Sequence, residues 1–589
     1  MKASIYAAVT SKPPTSLTEN GLYILSERYL RKNAGGQTIE TPEDMFHRVA
    51  GAVSSAERNY GTNADVEFWT KTFFRVMTNL EFLPNSPALL NAGRETGQLC
   101  ASFVLPVTDD AAFGTTSEEA VTVHRSGGGT GFSLSELRPN STEAVLKNIS
   151  AATDSVKQGG IRRGCNIAVL DVRHPDIIQF ISAKDHPEAL TNFYLSVAVT
   201  DQFMQAVASD GPHELILPFS RKVAARVKAK TVFDSIVEQT WKTGDPGLIF
   251  SSRVKDDNPT PELGEINGVC GCGEQMLLPY ESCVLGSINL AKMVRFDGET
   301  ARIDFDRLGE LVKIAIRFLD DVIDVNKFPL PRIAETTRRT RKIGLGVMGF
   351  ADMLIQLGIP YDSVEAAETG GSVMGFIKRQ AHEASVELGA ERGPFPAHTS
   401  RSGPRRNASC TAIAPTGTIS LIAGCSSGIE PIFAPVFARG IEGGRVLMDI
   451  NFHFKEALQK SGCSGQLLIK KLAAGRRLSE FDDLPEPVAR LFRTATEIDP
   501  KWHVMIQAAF QKYTDGGVSK TVNLPQTATR TDVANVYLSA YAQGIKGITA
   551  YRDGSRKAQP LFTGPEVGKM IERDAIEKKL LNILEASLV

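Results

Sequence analysis

The spacing of apolar residues divides the chain into two regimes. Up to about residue 80 it reads as helical. Thr41-Pro42-Glu43-Asp44 has the form of an N-cap, a proline in the first turn and acids facing the helix dipole, and Met45, Phe46, Val49 and Val53 follow at helical spacing. From about residue 81, short β-rich runs alternate with helices: FVLPV (103–107), NIAVLDV (166–172), FYLSVAV (193–199), TAIAP (411–415) and GITAY (547–551). That alternation argues for an α/β body. The clearest helix is 306–325, where Leu308, Leu311, Val312, Ala315, Phe318, Leu319 and Val322 fall on one face and are expected to pack on the sheet. The final stretch, IERDAIEKKLLNILEASLV, reads as one amphipathic helix. The expected division is a helical region 1–80, an α/β barrel body 81–562 and a helical tail 563–589.

Composition narrows the classes. With 42% hydrophobic residues among 589, there is ample apolar material to offset the entropy of ordering, which excludes a disordered chain. The 66 Lys and Arg balance 67 Asp and Glu, so no basic excess points to a nucleic-acid polymer or an anionic membrane. The basic run RKVAARVKAK (221–230) is expected to be a solvated face. No apolar run approaches the roughly 18 residues that span a bilayer, and the N-terminus lacks a signal-peptide core, so the expected compartment is the cytoplasm. Eight cysteines are too sparse for a disulfide scaffold.

Three glycine- or hydroxyl-rich stretches suit anions to different degrees. GLGVMG (344–349) has the spacing of a dinucleotide fingerprint, but the preceding RRTRK is no buried strand, and close helix packing is the better reading. SGGGTG (126–131) reads either as successive backbone N–H groups presented to an anion or as a sharp flexible turn. APTGTIS (414–420) follows a strand and puts Thr416, Gly417 and Thr418 where a helix begins, a place for phosphate or for ordinary capping. The densest chemistry is Cys270-Gly271-Cys272-Gly273-Glu274, with Cys283 following in PYESCVLGSINL. If 270–274 is extended, both thiols and the carboxylate share one face. A zinc site, a redox dithiol, a radical site and a merely buried cluster all fit that pattern, although zinc lacks a second C-x2-4-C pair. Cys100 opens another strand-like run after NSPALLNAG (85–93), whose Ser86-Pro87 turn offers hydroxyl and backbone donors.

Taken together, NSPALLNAG, SGGGTGFSLSELRP, KQGGIRRGCNIAVLDVRHPDI, CGEQMLLPYESCVLGSINL, RKIGLGVMGFADML, APTGTISLIAGCSSGIEP and KGITAYRDGSR resemble, in order, the catalytic chain of ribonucleotide reductase, most closely the adenosylcobalamin-dependent class II. The resemblance runs from about residue 16 to 562. It implies a ten-stranded α/β barrel with a central finger loop, and reduction of ribonucleotides, with diphosphates expected, to 2′-deoxyribonucleotides. By motif match Cys272 carries the thiyl radical that takes the ribose 3′-hydrogen, adenosylcobalamin supplies the initiating radical, and Glu274 is the general base on the 3′-hydroxyl. A cysteine pair supplies the electrons and becomes a disulfide; Cys283 matches one member. Ser86, Ala101, Ser102 and Pro415, Thr416, Gly417, Thr418 and Ile419 match the diphosphate site. The loop 159–164, with Arg162 and Arg163, matches the region near the base or an effector.

Two positions depart from the family pattern. Where it reads S-A-C-F, this chain has Cys100-Ala101-Ser102-Phe103, so Ser102 stands at the usual cysteine and Cys100, two residues back on the same strand face, is the expected substitute. Where it reads N-P-C-G-E, Cys270 replaces asparagine, either ceding that role or joining the thiol chemistry. Only 11 residues, 140–150, occupy the segment that relatives use for specificity regulation and dimer packing, and no N-terminal cone domain is expected. Conventional allostery is therefore expected to be weak or absent, in a monomer or homodimer. No cysteine follows Cys463, so re-reduction is expected from a small thiol or a thioredoxin-like protein. The alternatives are a class I large subunit, disfavoured because Ala550-Tyr551 replaces paired tyrosines, and an inactive nucleotide-binding homologue.

Overall fold

The computed structural model describes residues 17–556 and 561–562, apart from 108–113, 159–161, 187, 299, 401–402, 441–445, 461–471, 473–477 and 482–483. The tail expected at 563–589, Cys463, residues 159–161 and the side chains of Arg162 and Arg163 lie outside the described residues.

Local chemistry starts the N-terminal helices. Thr41 caps helix Pro42–Ser54 by accepting from Asp44 N, and the Asp44 carboxylate accepts from Thr41 N in return, closing a capping box. Met45, Phe46, Val49 and Val53 are buried, as their spacing predicts. Helices Glu19–Arg28 and Asn63–Thr78 complete this region.

The body is an α/β barrel with two parallel halves. In one, strands Ser102–Pro106, Gly129–Ser133, Asn166–Asp171, Phe193–Val199 and Gly247–Phe250 pair in that order. In the other, Leu285–Asn289 and Gly344–Met348 pair in parallel, and single bridges through Thr411 and Ile413 lead on to Thr521–Leu524 and Gly547–Arg552. The halves meet antiparallel at Leu248 and Ile548. On the other side they join through Ser282–Cys283, which pairs antiparallel with Ser102–Pro106 just before Leu285–Asn289. The run expected as a strand at 411–415 thus contributes only bridges.

GLGVMG corrects a second expectation: its glycines serve a barrel strand, Gly344–Met348, rather than helix packing. The last two charged residues before it, Arg341 and Lys342, are buried because they are paired. Arg341 Nε donates to Asp320 Oδ1 at 2.8 Å and Lys342 Nζ to Glu281 Oε2 at 2.7 Å.

Helix Phe305–Val325 lies against the barrel, and its polar residues enter a buried ion network with the N-terminal region. Arg392 contacts Asp321 Oδ1 at 2.7 Å and Glu57 Oε1 at 2.6 Å, and Arg317 also grips Glu57 at 2.6 Å. Burial alone would raise Asp320, but Arg341, Arg406 and Arg392 outweigh it and bring its pKa to about 2. The basic run expected to be solvated forms the exposed hairpin strand Val223–Lys228 and the start of the next helix. Among the described residues no helix is long and apolar enough to cross a membrane.

Candidate active site on the finger tip

A hairpin, Gly268–Cys270 paired with Gln275–Leu277, rises inside the barrel. Val269 and Met276 pack with Ile167, Val169 and Ile249, while Cys270 and Leu277 pack with Val104, Cys283, Leu285 and Ala412. The approach is too close for side chains at two surrounding positions. A Cβ on Gly131 would stand 1.9 Å from the Val269 carbonyl oxygen, and one on Gly517 would stand 2.2 Å from that of Gly273.

The tip is a tight turn, not the extended segment expected from 270–274. Gly271 and Gly273 adopt φ +49° and +82°, conformations that glycine takes without strain. Gly273 N donates to Cys270 O at 2.8 Å, and Gly517 N to Glu274 O at 2.8 Å. The turn sends neighbouring side chains to different places. Cys272 and Gly273 line a large cavity of about 1290 Å³, whereas Glu274 lines a smaller one of about 330 Å³; Pro415 lines both, so the cavities adjoin.

Cys272 is exposed, but to the internal cavity. Deep inside the protein, burial pushes its thiol pKa well up, with the Glu274 carboxyl and the Cys165 thiol adding to the rise. Cys165 thus belongs to the electrostatic surroundings of the tip. The Glu274 carboxyl accepts from Cys272 N through Oε2 at 2.7 Å and from the Cys283 thiol through Oε1 at 3.9 Å. Burial dominates over these bonds and raises its pKa to about 7.

The smaller cavity gathers most of the residues expected to bind substrate: Ser86, Ala101, Pro415, Thr416, Gly417, Thr418 and Ile419. Ser86 opens helix Ser86–Asn91 rather than forming a turn, with Asn85 as its N-cap. Its hydroxyl is 2.8 Å from that of Tyr29. Thr416 holds φ +53° while its Oγ1 accepts from Gly428 N at 2.7 Å, so this hydroxyl organises the loop. Ser102 does not line this cavity; it is buried, and its Oγ has no hydrogen-bond partner.

Sequence reasoning missed Arg28 and Tyr29, which reach this wall from the N-terminal helical region, and Asn85 and Ser287. Asn85 Nδ2 and Ser287 Oγ are buried without protein partners, as groups awaiting a polar ligand are. No local signal marks Arg28, which is simply the basic end of a surface helix until the fold brings it here.

The cysteines occupy several distinct places. Cys283 and Cys270 pack in the barrel interior beside the finger. Cys100 belongs to the main core, and its thiol donates to Ser282 Oγ at 3.6 Å. The expectation that a two-residue step keeps the strand face fails here because the chain bends at Ala101, and the regular strand begins only at Ser102. Ser102 itself is the cross-strand partner of Cys283. Cys410 is buried, with a thiol pushed up to about 12 by burial, and Cys425 lines the large cavity. Among the described residues no group of three or more His, Cys, Asp or Glu side chains could hold a metal ion.

Comparisons with known proteins agree with this architecture. The family model "Ribonucleotide reductase, barrel domain" matches residues 100–405 and 397–551, and "Ribonucleotide reductase, all-alpha domain" matches 15–97. The chain is 44% identical to a vitamin B12-dependent ribonucleoside-diphosphate reductase of Thermoplasma acidophilum, over 96% of this chain and 83% of that protein. It is 46% identical to a protein of the same description from Mycobacterium tuberculosis, over 91% and 80% respectively. Among solved structures, the class Id ribonucleotide reductase alpha subunit of Actinobacillus ureae superposes with a TM-score of 0.75 at 21% identity, covering 92% of this chain and 99% of that one. That likeness speaks for the fold.

Proposed function

The chain belongs to the ribonucleotide reductase family, and we propose that it works by holding a ribonucleotide and a radical-generating cofactor on opposite sides of one finger tip. It reduces ribonucleoside diphosphates to 2′-deoxyribonucleotides and depends on adenosylcobalamin, as the descriptions of its relatives at 44% and 46% identity indicate. The observation that carries the mechanism is the division of labour at the tip, where Cys272 faces the large cavity and Glu274, two residues on, faces the small one.

Adenosylcobalamin, when bound, supplies an organic radical through homolysis of its cobalt–carbon bond. The large cavity suits so large a group: its volume exceeds the roughly 300–1,000 Å³ of ordinary ligand pockets, and it opens directly on the Cys272 thiol. Ile249, Met276 and Phe433 would hold the apolar parts, and Tyr194 and Ser427 the polar ones.

Burial keeps Cys272 in its S–H form, from which a hydrogen atom rather than a proton is lost. Its sulfur then takes the 3′-hydrogen of a ribose that reaches from the small cavity, where the diphosphate is held, to the junction of the two cavities beside Pro415. Glu274, with a pKa near the working pH, accepts the 3′-hydroxyl proton while the 2′-hydroxyl departs as water. Arg28, Ser86 and the loop 415–419 hold the diphosphate, with Arg28 matching its charge and Asn85 Nδ2 and Ser287 Oγ gaining partners. A small thiol or a thioredoxin-like protein restores the reducing cysteines, and the enzyme acts in the cytoplasm as a monomer or homodimer.

Deoxyribonucleotide formation from each ribonucleoside diphosphate, with dithiothreitol and with or without adenosylcobalamin, tests this reading. Product is expected only with the cofactor. Equal product without it, or none in either case, would overturn the proposal.

A further inference from the structure

We propose that the two electrons for each reduction come from Cys270 and Cys283, so that in this chain the reducing pair runs from the finger to the barrel wall rather than between two neighbouring barrel strands. This assignment rests on the reading of the chain as a ribonucleotide reductase and names the thiols that reading requires.

Four placements lead to it. Cys283 lies in register with Ser102, which offers an unpartnered hydroxyl where a thiol would be needed. The bend at Ala101 turns the Cys100 thiol toward Ser282 Oγ and into the main core, outside the cluster that holds Cys270 and Cys283, although it stays within their electrostatic reach. Cys270 ends the finger's first strand, and it packs with Cys283 in one interior cluster bounded by Val104, Leu277, Leu285 and Ala412. The Cys283 thiol also reaches Glu274 Oε1 at 3.9 Å, which ties the pair to the carboxylate on the small-cavity wall. In agreement with that geometry, burial is the largest influence holding Cys283 protonated, and hydrogen bonding with the Cys270 thiol is the next.

The reaction balances on these groups. The C2′–O bond breaks and its oxygen leaves as water, C2′ gains a hydrogen, both S–H bonds break and one S–S bond forms. Two electrons and two protons pass from the dithiol to the substrate, and Cys272 ends with its S–H restored. An external dithiol then reduces the Cys270–Cys283 disulfide by exchange. Cys270 cannot reproduce the hydrogen bonds of an amide, so a second thiol at this position is its distinctive contribution to the chemistry.

Two measurements test the pairing. In the first, full-length Cys272→Ser protein is oxidised with diamide, cleaved after Glu274 and Glu281, and its cross-linked peptides are identified by mass spectrometry. With Cys272 removed, a link between the 270 and 283 peptides can only be the proposed disulfide. A Cys100–Cys283 link, or no link to Cys283, would overturn the proposal. In the second, pre-reduced enzyme freed of external thiol receives adenosylcobalamin and a ribonucleoside diphosphate. Wild type and Cys100→Ser should yield about one equivalent of deoxynucleotide, the two electrons of one dithiol, while Cys270→Ser should lose this burst. Adding Ser102→Cys to Cys270→Ser should restore it by placing a thiol opposite Cys283. A full burst in Cys270→Ser alone would refute the assignment. A wild type that makes no product would instead refute the underlying reductase reading, and the cross-link would still decide the pairing.

Discussion

Replacing Glu274 with glutamine tests the electrostatic account of the finger tip. Burial raises this carboxyl from the usual 4.5 to about 7. Below the lower value both folded and unfolded chains carry the proton, and the group has no differential effect. Between the two values the unfolded chain ionises while the folded one stays protonated, so stability falls as pH rises. Above about 7 the folded protein holds a buried carboxylate, at a cost of about 3 kcal/mol at 1.36 kcal/mol for each pH unit between the two values. Glutamine keeps the shape without the charge. Wild type and Glu274→Gln should therefore be compared by urea unfolding from about pH 5 to about pH 8.5. The variant should gain on wild type as pH rises, and the gap should level off above neutrality. A gap independent of pH, or one that closes as pH rises, would show the carboxylate to be stabilised in place and would refute the argument from burial. In the same range wild-type kcat/KM should rise with pH through about 7, because only the ionised carboxylate accepts the 3′-hydroxyl proton.

Cys272→Ser should abolish turnover while leaving the unfolding midpoint close to wild type, since the thiol faces a cavity; residual activity above a few per cent, measured as deoxynucleotide formed, would remove it from the radical role. Gly131→Ala should push the finger from its seat, because the new Cβ would meet the Val269 carbonyl oxygen at 1.9 Å; a loss of about 1–3 kcal/mol and a large fall in kcat are expected, read by urea unfolding and steady-state assay. Arg392→Met should cost about 3–5 kcal/mol by leaving Glu57, Asp320 and Asp321 short of a buried partner, and a melting curve matching wild type would contradict the network.

Where a segment's fate depends on its own residues, the sequence was readable. The capping residues around Thr41, the strand 193–199 and the apolar face of the helix near 306–325 all appear where their patterns put them. The failures have a common cause in distant partners. The strand Gly344–Met348 was hidden because RRTRK looks solvated until Asp320 and Glu281 neutralise its last two residues in the interior. The finger tip was misread as extended because two glycines take positive φ. One bend at Ala101 undid the alternation argument for Cys100. At the site, the chemistry-bearing types Cys272, Glu274 and Cys283 announced themselves, but Arg28 and Tyr29 arrive from a helix more than fifty residues before Ser86, with no periodicity to mark them.

The ion pair between Glu57 and Arg392 joins residues 335 positions apart. On a ribosome adding about 5–20 residues per second, Glu57 therefore emerges roughly 15–70 s before its partner. For most of that interval, until Arg317 follows Glu57 by 260 residues, the helices around it can form, but their charged inner surface lacks its cations. The N-terminal region is thus made early and closed late, once the central part of the chain that carries Arg317 and Arg392 has followed it, and before the last barrel strands are synthesised.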